Sequence, residues 1–229
     1  KIKSWVSGTL SAPIDAIDGG CMIVILKEKG FKMLKRTIDI LASAIMLIAG
    51  LPLYIAIACL IKITGGGPVL FKQTRVGQGG RRFQMLKFRS MVLDAEKWKG
   101  SLAEKNRYPG NITFKMQEDP RVTLIGRFLR KTSIDEFPQL WNVLRGDMSL
   151  VGPRPPLPGE VSKYGLLEKK RLEVKPGLTC LWQIKGRSEL PFSHQVVLDI
   201  AYIQNQSIRL DLEILMRTIP AVVTGRGAY

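Results

Sequence analysis

The sequence predicts an α+β monotopic membrane protein: a proline-broken re-entrant membrane helix, a small β-hairpin, and several amphipathic or interfacial helices around a charged centre. Three observations predict it. Residues 40–61, ILASAIMLIAGLPLYIAIACLI, are 22 consecutive uncharged residues, which meets the length of roughly 20 needed to span a bilayer. Pro52 interrupts that run between two basic flanks. After it, strand-like and helical patterns follow one another with no internal repeat and no low-complexity tract.

The chain has 229 residues, 45% of them hydrophobic, with 35 Lys and Arg against 19 Asp and Glu, a formal net charge of +16 and a pI near 10.0. It can bury a core, and its partners are expected to be anionic: nucleic acid, anionic lipid or phosphorylated substrates. Cys21, Cys59 and Cys180 are odd in number and form no CxxC pair, which argues against a disulfide framework and a structural zinc site. His194 is the only histidine; its place at an apparent helix start suits a cap or a surface position.

In chain order, the first 30 residues lack a clear amphipathic period and read as a remnant or linker of a missing N-terminal region. The membrane element covers about residues 34–63. Pro52 has no N–H and clashes with the preceding turn, so a helix should kink near Gly50-Leu51-Pro52. The two arms reach roughly 18 Å and 14 Å, each near half the hydrocarbon thickness. KEKGFKMLKR upstream carries five basic residues, and Lys62 to Arg82 carries five more with no acid. Both flanks therefore prefer the same, cytoplasmic side, and a helix that enters and returns fits better than one that crosses. Asp39 lies at the membrane edge with Lys35 one turn before it as a candidate partner. The run is internal and no A-x-A-like site follows, which argues against a signal peptide.

VLFKQTRVGQGGRRFQMLKFRSM predicts a β-hairpin around a glycine-rich turn. That turn lacks the G-x-G-x-x-G order of a nucleotide loop. SMVLDAEKW predicts a helix, Lys99–Pro120 a polar loop, and VTLIGRFLRKT a helix with apolar residues at 122, 125, 128 and 129 and basic Arg127, Arg130 and Lys131 near its C-terminal end. PGEVSKYGLLEKKRLEV reads as an amphipathic helix and LTCLWQIKG as a strand. The remainder to about residue 222 reads as two helices parted near NQSI, the second with an apolar face suited to a membrane surface or to the interior.

The charged centre is TSIDEFPQLWNVLRGDMSLVGPRPP, residues 132–156. Ser133 and Glu136 match the S-x-x-E capping box, and Pro138 suits the first turn of the following helix. A cap leaves Asp135 and the surrounding arginines unexplained. An aspartate can attack phosphorus, and a neighbouring glutamate can hold a divalent cation, Mg2+ being the one that suits oxygen ligands and phosphate. Arg154, in the proline-fixed GPRP turn, offers a guanidinium to a phosphate. Phosphoryl transfer at a membrane surface is the chemistry these residues suggest.

The collinear order of KRTIDI, the proline-broken run, GPVLFKQTRVGQGGRRFQMLKFRSM, LRKTSIDEFPQLWNVLRGDMSLVGPRPP, KPGLTCLWQIKGR and LDIAYIQNQSIRLDLEIL resembles the bacterial sugar transferases, the monotopic polyprenyl-phosphate phosphoglycosyl transferases, over about residues 32–222. That resemblance implies a catalytic domain over residues 31–229 that moves a phosphosugar from a UDP-sugar, UDP-glucose or UDP-galactose above all, to undecaprenyl phosphate with release of UMP. It implies Mg2+, a covalent aspartyl-phosphosugar intermediate, Asp135 as nucleophile and Glu136 as metal-binding partner. It also implies that Lys87, Arg89, Arg130, Arg154 and Arg187 contact phosphates and that Asp211 supports the site. The expected location is the bacterial cytoplasmic membrane with the domain on its inner face, in contact with membrane lipids, with a homodimer as a further partner and no specific nucleic acid. The initiating step of exopolysaccharide, capsule or O-antigen synthesis is the corresponding role. Many members have Ser-Pro at the break; here it is Leu51-Pro52. The competing expectation is a membrane-anchored basic scaffold that holds anionic lipid or nucleic acid without chemistry.

Overall fold

The computed structural model describes residues 14–65, 67–95, 97–99, 119–186 and 190–224. The chain divides into two compact units, Lys1–Thr37 and Ile38–Tyr229, and the core and the charged centre both lie in the second. Its elements are the part of helix α1 (Ile14–Gly65) from Ile38 onward, strands β1 (Leu70–Val76) and β2 (Arg82–Phe88), helices α2 (Leu124–Lys131) and α3 (Gln139–Arg145), and strand β3 (Ser149–Val151). Short helices α4 (Pro158–Val161) and α5 (Leu166–Lys169) follow, then strand β4 (Gly177–Thr179), helix α6 (Leu181–Lys185), and the longer α7 (Phe192–Gln204) and α8 (Ile208–Thr224). The fold is thus mixed helix and sheet, with a long apolar helix and a small antiparallel hairpin.

Pro52 lies inside α1, and among the described residues this is the one helix long and apolar enough to cross a membrane. Both ends of its apolar run seat on the domain. Ala42 and Leu47 pack against the main core, while Ile57 and Ile61 are buried in a second cluster with Phe88 and Leu129. Between them Ile45, Ile48, Leu51, Leu53 and Ile55 remain 47–75% exposed. Asp39 is buried, and its carboxylate accepts the Leu150 amide at 3.0 Å. The β3 backbone thereby satisfies a group that would otherwise be costly to bury.

The hairpin forms as expected, with β1 and β2 antiparallel from Leu70↔Phe88 to Val76↔Arg82. Gly79 and Gly80 at its tip have φ of 65° and 80°, a conformation that glycine adopts without steric cost. Asn142 of α3 grips the hairpin's free edge: its amide donates to the Gln84 carbonyl at 2.8 Å and its oxygen accepts the Leu86 amide at 3.0 Å. Met85, Leu140, Val143, Met148, Leu150, Val151, Tyr202 and Ile214 form the main core.

A second pairing, β3 parallel to β4, is absent from the sequence expectations. Three-residue strands carry no alternation to read. Gly152 and Gly177 approach each other at the edge of this pair, and a Cβ on either would collide with the facing backbone. LTCLWQIKG accordingly gives strand only to Thr179 and turns helical at Leu181.

Two helix expectations are corrected. SMVLDAEKW is not a helix: Met91 bridges Val122 in an antiparallel pair and Leu93–Ala95 form a turn, with a single 3-10 turn at Lys97–Lys99. PGEVSKYGLLEKKRLEV breaks into α4, α5 and a 3-10 turn at Lys170–Leu172. The cause is burial. Tyr164 and Arg171 both turn inward, with Arg171 Nε on Asp199 at 2.8 Å and its Nη1 on the Tyr164 hydroxyl at 2.8 Å. The two closing helices, α7 and α8, part at Asn205–Ser207 as expected. His194 is exposed near the start of α7, in keeping with a surface role.

Candidate active site

The dyad sits between two helices. α2 is capped by Thr123, whose hydroxyl accepts the Gly126 amide at 2.9 Å, and it runs past Ser90 so closely that a Cβ at Gly126 would overlap the Ser90 backbone. This close approach lets Arg130 Nε reach the Ser90 hydroxyl at 2.9 Å. A 3-10 turn, Ile134–Glu136, then carries Asp135 and Glu136, and α3 starts at Gln139.

The expected capping box is absent. Ser133 takes a left-handed conformation, φ 56°, and its side chain caps nothing. Glu136 points instead to the hairpin, where Lys87 Nζ donates to its Oε1 at 2.6 Å. A charge-assisted bond across the domain outweighs a neutral cap at the turn. Pro138 does stand at the start of α3, as its N-cap residue.

Lys87 and Glu136 are each largely covered, with side chains 16% and 20% exposed. Arg154 Nη1 lies 4.0 Å from the same Glu136 oxygen. Asp135 is buried, at 6% exposure. The two carboxyls are driven apart electrostatically. Burial raises Asp135 to about 6 against the opposing pull of Lys87, with Glu136 adding to the rise. Burial pushes Glu136 up as well, but Lys87, Arg154 and Arg75 together bring it well below the usual carboxylate range. The pair therefore offers one permanently ionised carboxylate and one more basic carboxylate beside it.

A recess opens onto Glu136, lined among others by Arg75, Lys87, Gln139, Arg154 and Gln183, with Asp135 buried next to Glu136 and outside that lining. Arg75, Gln139 and Gln183 were not among the residues the sequence singled out. Arg75 is buried, its Nη1 donates to the Pro155 carbonyl at 2.9 Å, and Nε and Nη2 both donate to Gln73 Oε1. It thereby fixes the turn that carries Arg154. Its signal was an arginine within a strand otherwise readable as hairpin. Gln139 directly follows the Asp-Glu-Phe-Pro stretch and is 3% exposed, and its Nε2 has no hydrogen-bond partner.

Of the expected phosphate contacts, Lys87 and Arg154 meet at Glu136, and Arg130 carries the electrostatic influence of Asp135 and Glu136. Arg89 does not line the recess; its Nη1 is buried beside Gly67 without a partner. Asp211 also stands apart from the recess lining. Its carboxylate accepts the Tyr202 hydroxyl at 2.7 Å, and that hydroxyl lies 3.1 Å from the Val151 carbonyl. Asp211 thus supports β3, the strand leading into the Arg154 turn. Arg187 lies outside the described residues.

No group of three or more His, Cys, Asp or Glu that could enclose a metal occurs among the described residues. Glu136 in the recess, with Asp135 next to it in sequence, offers carboxylate oxygens of the kind that a cation such as Mg2+ takes together with waters and phosphate oxygens.

The sequence profile of the bacterial sugar transferases matches residues 30–225. The galactosyl transferase CpsE of Streptococcus agalactiae serotype III is 48% identical over 196 residues, 85% of this chain and 43% of that protein. The exopolysaccharide production protein ExoY of Sinorhizobium fredii is 41% identical over 200 residues, covering 85% of this chain and 88% of its own length. The UDP-glucose:undecaprenyl-phosphate glucose-1-phosphate transferase of Caulobacter vibrioides is 40% identical over 204 residues, 85% of this chain and 72% of that protein. The chain thus spans under half of CpsE but most of ExoY. With a match across nearly its whole length and the dyad seated among basic side chains, the chain belongs to the bacterial sugar transferase family.

Proposed function

We propose that this chain is a phosphoglycosyl transferase that moves a sugar 1-phosphate from a UDP-sugar to undecaprenyl phosphate with release of UMP, through a covalent aspartyl-phosphosugar. The observation that carries the proposal is the divided dyad: a buried, more basic Asp135 beside an ionised Glu136 held by Lys87. The names of the relatives, one a galactosyl transferase and one a glucose-1-phosphate transferase, favour UDP-galactose or UDP-glucose as donor.

In the first half-reaction an Asp135 carboxylate oxygen attacks the sugar-bearing phosphorus. The bond from that phosphorus to the UMP oxygen breaks, and UMP leaves as an anion. In the second, an oxygen of undecaprenyl phosphate attacks the same phosphorus and displaces Asp135, regenerating the free carboxylate and yielding the lipid diphosphate sugar. A carboxylate raised to about 6 is ionised at neutral pH yet more nucleophilic than an ordinary one. Arg154 stands to bind phosphate oxygens, and Lys87 holds Glu136 in place. Glu136, with Asp135 beside it, would hold Mg2+. That ion would neutralise charge on the donor's diphosphate.

The apolar run of α1 is re-entrant in this reading, and the domain sits on the cytoplasmic face of the membrane. The support is that both ends of the run seat on one domain while its middle, around Pro52, is uncovered apolar surface. The role that follows is the first membrane step of an exopolysaccharide, capsule or O-antigen. Incubation with UDP-sugar carrying a labelled sugar, Mg2+ and undecaprenyl phosphate tests the chemistry. Labelled lipid and UMP are expected from the native chain, and labelled protein from UDP-sugar and Mg2+ without the lipid acceptor. Equal turnover by Asp135→Asn would remove Asp135 as nucleophile, and turnover without labelled protein would favour direct transfer.

A further inference from the structure

Pro52 removes one backbone donor from α1, and Leu51 beside it has no hydroxyl to offer a carbonyl. Tyr54 is placed to brace the break. Its hydroxyl donates to the Met46 carbonyl at 3.1 Å, eight residues back, so one bond joins the arms on either side of Pro52. Its ring crosses the surface of Gly50, where any Cβ would overlap the ring carbons and the hydroxyl. Glycine at position 50 is what leaves that path open.

The same ring reaches the dyad. It meets Phe137 edge-on, with centroids 5.9 Å apart, and Phe88 at a tilt, with centroids 6.1 Å apart. Phe137 follows Glu136 and Phe88 follows Lys87, the partners of the 2.6 Å ion pair. One side chain therefore ties both arms of the apolar run together and backs both halves of the pair.

We infer that Tyr54 is a positioning residue, with its hydroxyl fixing the angle of the apolar run through Met46 and Gly50 and its ring setting the Lys87–Glu136 pair relative to that run. The functional part of this inference rests on the reading of Asp135 and Glu136 as the reacting centre. The UDP-sugar arrives from solution, whereas the acceptor phosphate is tethered to the bilayer. An error in the angle of the run therefore falls on the acceptor, and an error in the ring falls on the pair itself.

The test separates hydroxyl from ring. Tyr54→Phe is expected to raise KM for undecaprenyl phosphate roughly three- to tenfold, the scale of one neutral hydrogen bond, with KM for UDP-sugar and the yield of labelled protein unchanged. Gly50→Ala, which displaces the ring and hydroxyl together, and Tyr54→Ala are expected to lower the yield of labelled protein as well. Equal defects toward both substrates in Tyr54→Phe, or none, would overturn the assignment. An activity-free readout uses spin labels at positions 41 and 63, both exposed, with Cys21, Cys59 and Cys180 replaced by alanine, in phosphatidylethanolamine–phosphatidylglycerol nanodiscs. The distance distribution should broaden in Tyr54→Phe, and an unchanged distribution overturns the brace. Broadening in a chain that forms no labelled protein in any variant would uphold the brace and refute the reading of the dyad.

Discussion

Asp135 is the residue at which the fold works against its own stability. Its carboxyl is raised to about 6 chiefly by burial, so the charged form is less favourable in the folded chain than in the unfolded one, where an aspartate titrates near 4. The sign follows: above about pH 6 the ionised group costs stability, and below about pH 4, where both states are protonated, that cost is gone. Asp135→Asn is therefore expected to abolish labelled-protein formation and yet to melt higher than the native chain near pH 8 in the presence of a chelator. The gain should be of order 2 kcal/mol and should vanish near pH 4. Thermal melts across that pH range check it, and a variant that melts lower throughout would show that Asp135 is held by favourable contacts. The dyad and Arg154 stood out in the sequence because their motif is contiguous, and Lys87 entered only through the family resemblance; the structure brings Lys87 and Arg154 to Glu136. The capping box was misread because the decisive partner of Glu136 is Lys87, 49 residues away, and local spacing carries no trace of it. Gln139 and Arg75 stayed hidden for the same reason: what marks them is burial beside the recess.

At the scale of elements, long periodic segments were readable and short ones were not. The apolar run, the hairpin, α2, α3, α7 and α8 follow from hydrophobic period and turn residues. The β3–β4 pair and the α4–α5 break depend on contacts that no window of sequence contains: Gly152 against Gly177, and Arg171 on Asp199. The apolar run makes the element-scale prediction. Its two ends are seated on one domain through Ala42 and Leu47 and through Ile57 and Ile61, and its flanks are both basic. A re-entrant path leaves both flanks on the cytoplasmic side. Single cysteines at positions 32 and 63, in a background without the native three, should both resist a membrane-impermeant maleimide in intact spheroplasts and both react after permeabilisation. Reaction of one but not the other in intact spheroplasts would mean that the run crosses.

At the scale of the whole molecule, two forces can hold this chain to a membrane, and magnitude separates them. The net charge of +16 attracts anionic lipid by about 1 kcal/mol for each Lys or Arg near the surface. That attraction collapses in 1 M salt, where the screening length is about 3 Å. The uncovered side chains of Ile45, Ile48, Leu51, Leu53 and Ile55 act through apolar burial, together worth about 5–9 kcal/mol at their present exposure, and salt does not weaken this contribution. Membranes washed in 1 M NaCl should therefore keep the native chain. Two aspartates placed in the run, Ile48→Asp with Leu51→Asp, add about 5–7 kcal/mol of insertion cost, enough to cancel most of the apolar gain. The double variant should remain bound to anionic vesicles at low salt through its basic surface and be released at 1 M NaCl, as followed by flotation. Retention of that variant in high salt would mean that another surface carries the anchor, and release of the native chain would mean that charge alone holds it.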